Sequence, residues 1–206
     1  MGSTADGAGL READVDPDPI VEFQRWFAHA RATGDPLPEA MTLATTNGTG
    51  IPSARMVLLK GVDARGFVFF TNHESQKGKD LAENPRAALV FYWGKLGRQV
   101  RVSGPVSRVS SEESDAYFRN RPLESRLSAA ASPQTAVIPS RDVLAKRVEE
   151  LRRQYDGDVP RPAFWGGYRV SPESIEFWLH RENRLHDRLR YTRHPGAGWL
   201  LERLAP

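Results

Sequence analysis

Four stretches of the 206-residue sequence carry side chains able to do chemistry. The densest is FWLHRENRLHDRLRY, residues 177–191, which packs four arginines, two histidines, a tryptophan and a tyrosine into fifteen positions. Within it Arg184, His186 and Arg188 alternate, so on a strand they project from one face while Leu185 and Asp187 turn to the other. Such a face suits an anionic, planar ligand, because guanidinium forks pair with phosphate or carboxylate and stack on flat rings. A second stretch, Thr71-Asn72-His73-Glu74-Ser75-Gln76-Lys77, offers a hydroxyl, helix N-terminal amides and a lysine, the parts of a phosphate cradle. It lacks the glycine spacing of a P-loop or dinucleotide fingerprint. In the third, Arg55-Met-Val-Leu-Leu-Lys60, the two cations face opposite ways on a regular strand unless a bulge or strand end turns both to one ligand. In the fourth, Tyr117-Phe-Arg-Asn-Arg121-Pro-Leu-Glu-Ser125, Tyr117 and Arg121 share a helix face, with Ser125 one turn on if Pro122 leaves the helix intact. Tyrosine, arginine and serine donors suit a phosphate.

Each stretch also has a plain structural reading, as a solvated segment, a capped helix or a core strand with polar ends. The His186–Asp187 adjacency is poor ground for a catalytic triad, since neighbours on a strand diverge. The five histidines are scattered, which argues against a metal centre.

The elements that must position these residues are legible from periodicity. Ile20, Phe23, Trp26, Phe27 and Ala30 recur at helical spacing, and Gly34 and Pro36 end that helix. MTLATT and IPSARMVLLK read as strands around an Asn47-Gly48 hairpin turn. FVFFT is a further strand, and Ser75 to Glu83 a short helix. RAALVFYW and RQVRVSGPVSRV follow as strands. Ser110 to Glu113 has the spacing of a capping box opening a helix through Tyr117. A helix spans Ser140 to Tyr155, and FWGGYRV, SIEFWL, LRYTR and GWLLERL return to strand. Short strands joined by hairpins, with a few helices between them, predict an α+β, mainly antiparallel fold: a barrel with peripheral helices. Residues 1–16 read as a mobile tail, and residues 17–206 as one domain.

Composition narrows the function classes. The formal net charge is +3, and only five of the 29 basic residues are lysine, an arginine excess that GC-rich coding or an anionic ligand would each produce. The arginines are interspersed with acids rather than gathered in a basic run, which argues against a nucleic-acid partner. No apolar run reaches the roughly 18–20 residues needed to cross a bilayer, and the first residues lack the apolar core of a secretory signal. With no cysteine in the chain, the expectation is a cytoplasmic protein without membrane partners.

Taken in order, RMVLLK, TNHESQKGKDLAENPRAALVFYW, RQVRVSG, YFRNRPLES, FWGGYRVSPESIEFW and RLHDRLRY resemble the pyridoxamine/pyridoxine 5′-phosphate oxidase family, from about residue 17 to the terminal ERLAP. The resemblance implies an FMN-binding split β-barrel that forms a homodimer with FMN between subunits. It implies an oxidase that converts pyridoxine or pyridoxamine 5′-phosphate to pyridoxal 5′-phosphate with O2 as acceptor and H2O2 as product. By the same resemblance FMN contacts Arg55, Lys60, Phe70, Thr71, Gln76 and Lys77, and also Gln99, Gln134, Thr135, Trp178 and Arg188. The substrate phosphate falls to Lys60, Tyr117, Arg121 and Ser125, and its ring to Arg184 and His186 as the catalytic pair. Gln76 stands where the family usually has arginine, Leu37 where many members have aspartate, and Leu179-His180 where Gln-Gly is usual. SQKGKDLAENP and the Tyr92-Trp93 pair also resemble the related flavin oxidases of phenazine biosynthesis, the alternative reading. A flavin or pyridoxal phosphate carrier without catalysis is the alternative from another class.

Overall fold

The computed structural model describes residues 9–206. Helix α1 (Pro19–Ala32) opens at Asp18, whose carboxylate accepts the Ile20 N–H at 2.9 Å, with Pro19 at the first helical position. It buries Ile20, Phe23, Trp26 and Ala30. The Phe23 ring meets Phe67 edge-on at 4.8 Å and Phe91 at 4.9 Å, so α1 is seated on the barrel core.

The strands are β1 (Ala40–Thr46), β2 (Pro52–Leu58), β3 (Gly61–Asp63), β4 (Gly66–Asn72), β5 (Arg86–Trp93), β6 (Arg98–Arg108), β7 (Trp165–Val170), β8 (Ser174–Leu179), β9 (Asp187–His194) and β10 (Gly198–Arg203). All pairings are antiparallel. The order β10-β9-β8-β6-β5-β1-β2 forms one curved sheet, while β3-β4-β7 joins it through the far end of β6. Because β2 runs through Leu59 and Lys60 into β3, the strands β1, β2–β3, β4, β7, β6 and β5 close a ring, with β8–β10 as an extension. Met41, Leu43, Phe67, Phe69, Leu89, Phe91, Val100, Val102 and Phe177 fill it. This is the antiparallel barrel with peripheral helices that the strand pattern predicts, in the split form that the resemblance implies.

Helices α2 (Gln76–Glu83), α3 (Ser111–Arg119), α4 (Leu123–Ala131) and α5 (Arg141–Tyr155) lie between the strands in sequence. Ser110 caps α3 by accepting the Glu113 N–H at 3.1 Å, as its spacing predicts. No helix among the described residues is long and apolar enough to cross a membrane.

Two local expectations are corrected. The Asn47-Gly48 pair does not make a two-residue hairpin. Thr46 pairs with Pro52, and the loop between them is built on Asn47 Oδ1, which accepts from the N–H groups of Thr49 and Ile51 at 3.1 and 2.9 Å. An asparagine side chain mimics a backbone turn in this way, and the left-handed residue is Gly50 (φ +85°). The mobile tail expected over residues 1–16 is likewise revised. Residues 1–8 lie outside the described residues, but Leu10 is buried in the core and Asp16 accepts the Tyr191 hydroxyl at 2.7 Å. One apolar side chain, the Glu12–Arg203 ion pair and hydrogen bonds to the backbone of Leu10 and Asp16 dock a segment whose composition alone reads as unstructured.

Candidate functional site

The turn from β4 into α2 is built before the helix begins. Asn72 Oδ1 accepts the Glu74 N–H at 2.7 Å, and the Asn72 carbonyl accepts the Ser75 hydroxyl at 2.6 Å. Gly78 lets α2 lie against this turn, because a Cβ there would sit 2.0 Å from the His73 carbonyl oxygen. Beside this turn Lys77 is buried, only 6% exposed. Its Nζ donates to Gln134 Oε1 at 2.9 Å, Thr71 Oγ1 at 3.2 Å and Ser75 Oγ at 3.2 Å, three uncharged oxygens.

Arg55 enters the same region from β2. It donates to Thr45 Oγ1 at 2.7 Å, the Leu43 carbonyl at 3.2 Å and Ser53 Oγ at 2.6 Å. Among the described residues the carboxylate paired here is Asp80, which lies 3.7 Å from Arg55 and also accepts from Thr45 Oγ1 at 2.6 Å and Gln76 Nε2 at 2.8 Å. Burial and the neighbouring Arg55 bring the Lys77 ammonium down to about 8, against the opposing pull of Asp80. Burial also lowers Arg55. From the α4–α5 loop, Thr135 accepts the Gln76 backbone N–H at 2.9 Å while itself left-handed (φ +71°). A buried lysine and a half-buried arginine thus share one carboxylate among the described residues, and this donor set fits a phosphate, which would supply the missing charge.

One residue earlier on β4, Phe70 faces away from the barrel. It stacks on Tyr117 at 4.0 Å and on Trp165 at 5.4 Å, with the rings nearly parallel. Arg121 lies 4.8 Å over Trp165, and its Nη1 is buried without a hydrogen-bond partner. Burial holds the Arg121 guanidinium below its ordinary value. The exposed Lys60 opens on a cavity of about 240 Å³ that Phe70 and Tyr117 also line. The carboxylates at that cavity, Asp63 and Glu113, are both held by Arg169, at 2.8 and 3.1 Å. The helix reading of residues 117–125 is corrected: α3 stops at Arg119, and a turn through Asn120 carries Arg121 to Trp165. Pro122, which cannot continue a helix from α3, instead precedes α4. Ser125 stands in the first turn of α4, without a hydrogen bond to Tyr117 or Arg121 among the described residues.

The third group lies on the outer face of the curved sheet. Gln99 pairs with Trp178, and Trp178 with Arg188, so these side chains form one row across β6, β8 and β9. Arg188 Nε donates to Glu176 at 2.9 Å, and its Nη1 donates to the Ala205 carbonyl at 2.8 Å. The expected alternation of Arg184, His186 and Arg188 on one strand does not hold, because β9 begins only at Asp187. Asn183 and Arg184 are both left-handed (φ +56° and +63°) and reverse the chain between β8 and β9. His186 reaches the row from this loop, its ring 4.5 Å from Trp178. Its Nδ1 accepts the Arg181 N–H at 3.1 Å, so the neutral ring carries its proton on Nε2.

Of the residues expected around one cofactor, a single chain gathers Arg55, Thr71, Gln76, Lys77, Gln134 and Thr135. Gln99, Trp178 and Arg188 are set apart from them. The sheet order puts β5 and β1 between β6 and β2, roughly 14 Å of sheet at the usual strand spacing.

Residues 35–155 match the family model described as pyridoxamine 5′-phosphate oxidase, and residues 165–206 match the pyridoxine 5′-phosphate oxidase C-terminal dimerisation region. The chain belongs to the pyridoxamine 5′-phosphate oxidase family. Its relatives include the pyridoxine/pyridoxamine 5′-phosphate oxidase of Cupriavidus taiwanensis, 56% identical over 96% of this chain and 93% of that protein. The protein of the same name from Burkholderia cenocepacia is 57% identical over 97% and 94%. Among solved structures, PhzG from Burkholderia lata, in complex with tetrahydrophenazine-1-carboxylic acid, superposes with a TM-score of 0.92 at 31% identity, covering 99% of this chain and all (100%) of that one.

Sequence inspection of this oxidase-family chain missed Thr45, Asp80 and Trp165. Asp80 lies four residues after Gln76 on α2, a spacing that puts them on one helix face. Thr45 follows the buried alternation of Met41 and Leu43. Trp165 gave no such signal, since its stacking partners come from β4 and α3.

Proposed function

We propose that this chain is an FMN-dependent oxidase of pyridoxine and pyridoxamine 5′-phosphate, working in the cytoplasm as a homodimer. The observation that carries the reading is the pair of cation clusters on opposite faces of β4. Thr71 belongs to a cluster with Lys77 and Arg55, and Phe70 to one with Tyr117, Lys60 and Arg121. The first cluster has one carboxylate beside its two cations, and at the second both nearby carboxylates, Asp63 and Glu113, are engaged by Arg169, so the two sites suit two phosphates, one on the cofactor and one on the substrate.

In this reading Arg55, Thr71 and Lys77, with Gln134 and Thr135 closing over them, hold the FMN phosphate. FMN held there would supply the two-electron acceptor that links oxidation at the substrate C4′ carbon to reduction of O2. Lys60, Tyr117 and Arg121 grip the substrate phosphate, with Ser125 at the N-terminus of α4. Arg184 and the Nε2–H of His186 orient the pyridine ring. Fixing two rings in a reactive arrangement is the main contribution a protein makes to hydride transfer. The alcohol and O2 give the aldehyde and H2O2; the amine also consumes water and releases ammonia.

The dimer follows from the division of the site. Gln99, Trp178 and Arg188 share an outer face with Met56 and Tyr92, which are 62% and 64% exposed. A second copy docked on that face would bring one chain's Trp178 and Arg188 toward the other chain's cradle. The match of residues 165–206 to a dimerisation region supports this arrangement.

The other reading is an oxidase of reduced phenazines, prompted by the likeness to PhzG. The identity of 56% to the vitamin phosphate oxidases against 31% to PhzG, and the cations around Arg121, favour a phosphorylated substrate. Anaerobic reduction of the FMN-loaded protein by pyridoxine 5′-phosphate, pyridoxamine 5′-phosphate and a dihydrophenazine carboxylate tests the choice. Rapid bleaching by the phosphates followed by H2O2 formation in air is expected. Bleaching by the phenazine alone would replace the first reading with the second, and FMN that no substrate reduces would leave a carrier.

A further inference from the structure

The carboxylate of Asp187 is a junction between the two ends of the chain. Its Oδ2 accepts the Leu10 N–H at 3.1 Å, its Oδ1 accepts from Arg203 Nη1 at 2.9 Å, and Arg181 Nε lies 3.5 Å away. Arg203 is also forked onto Glu12, with both contacts at 2.8 Å, and donates to the Leu10 carbonyl at 2.7 Å. That guanidinium brings the Glu12 carboxyl down to about 2. The Leu10 side chain is 8% exposed and belongs to the core. Residues 10–12 therefore form a strap, held by one buried side chain and a bidentate ion pair.

The loop that the junction borders is otherwise weakly held. Between Arg181 and His186 the chain has no strand pairing, and Asn183 and Arg184 both sit in the left-handed region. Non-glycine residues hold that conformation at a cost and keep it only when their surroundings dictate it. The ends of the loop are fixed by the Arg181 N–H on His186 Nδ1 and by Asp187 next to His186. Asp187 and Arg188 are neighbours, yet Arg188 bonds Glu176 on the outer face while Asp187 bonds the strap.

We propose that Asp187 is a positioning residue: clamped by the N-terminal strap through Leu10, Glu12 and Arg203, it sets the loop that presents Arg184 and His186 to the substrate. The inference rests on the reading that those two side chains meet the substrate ring. Asp187 acts through the loop and touches no substrate itself.

The test compares the FMN-loaded parent with Asp187→Asn, Glu12→Gln and a chain lacking residues 1–12. Hydrogen exchange is followed at the amides of residues 181–186 and, as control, of β8. Flavin reduction by pyridoxine 5′-phosphate is measured anaerobically across substrate concentration. In Asp187→Asn and in the shortened chain, loop exchange should quicken about tenfold or more while β8 is unaffected. The limiting reduction rate should fall about tenfold with FMN still bound, as expected for lost orientation. Glu12→Gln should move both quantities in the same direction by less. A lower melting temperature with parental loop exchange and parental reduction would mean a merely structural ion pair, and would overturn the proposal. If the shortened chain does not fold, the two point variants decide. If pyridoxine 5′-phosphate fails to reduce even the parent, the proposed function falls, and loop exchange alone still decides whether Asp187 holds the loop.

Discussion

The ammonium of Lys77 lies 2.9 Å from Oε1 of Gln134, a residue 57 positions later in the chain. This contact closes the α4–α5 loop over the start of α2, and it leaves a buried cation facing neutral oxygens. Its acid–base behaviour is therefore a direct probe of the cradle.

Lys77 sits at about 8 in the folded chain, below its ordinary 10.5. Between those values the unfolded state holds a proton that the folded state has lost, so the apoprotein should gain stability as pH rises from about 8 to 10.5. FMN should show the opposite dependence, because its phosphate needs the protonated form. The dissociation constant should be flat below pH 8 and then rise by at most about tenfold per pH unit. Lys77→Met should bind FMN more weakly and lose this dependence. Flavin fluorescence titrations from pH 7 to 10 measure it; a flat profile in the parent would remove Lys77 from the phosphate site.

Arg121 has a buried Nη1 without a partner and a ring beneath it. Arg121→Ala should cost about 1.5–3 kcal/mol of substrate binding, the worth of a charged donor, or roughly ten- to a hundredfold in KM near equilibrium. FMN occupancy should not change. Arg121→Lys should recover little, because an ammonium cannot stack flat on Trp165. Steady-state oxygen uptake with pyridoxine 5′-phosphate gives the answer, with unphosphorylated pyridoxine, expected to be indifferent to the mutation, as control.

For Arg184, positioned by a left-handed turn, substitution by alanine should slow flavin reduction by roughly a hundredfold. Arg184→Lys should remain slow, lacking the planar fork. Stopped-flow bleaching at saturating substrate is the measurement, and parental rates with full FMN occupancy would exclude the residue from the mechanism.

Gly78→Ala places a methyl group where the His73 carbonyl leaves no room. The turn must open, at about 1–3 kcal/mol for an overpacked site. Because the same turn aims Lys77, FMN affinity should fall along with the melting temperature. Thermal unfolding with and without FMN separates the two effects, and a loss of stability without a loss of affinity would mean that α2 shifts as a unit.

Much of this protein was determined by its sequence. Alternating apolar residues with a period of two specify the strands, and the 3.6-residue spacing from Ile20 to Ala30 specifies α1, because these patterns follow from local backbone geometry. The opposite facing of Arg55 and Lys60 follows from the same alternation: Arg55 turns to the inner cradle and Lys60 to the outer cavity. The chemical types in the four stretches were also plain, since phosphate binding calls for arginine, lysine and hydroxyl donors wherever they sit in the chain. What only the tertiary structure decided was which of them meet. Gln134 reaches Lys77 because a loop folds back over α2, and Trp165 joins Phe70 and Tyr117 because β7 pairs with β4. Arg184 leaves the strand face expected for it because two left-handed residues turn the chain. Leu10, in a segment with the composition of a free tail, is anchored by Asp187 and Arg203 from the far end of the sequence. Such contacts depend on the packing of elements distant in sequence, and local periodicity carries no record of that packing.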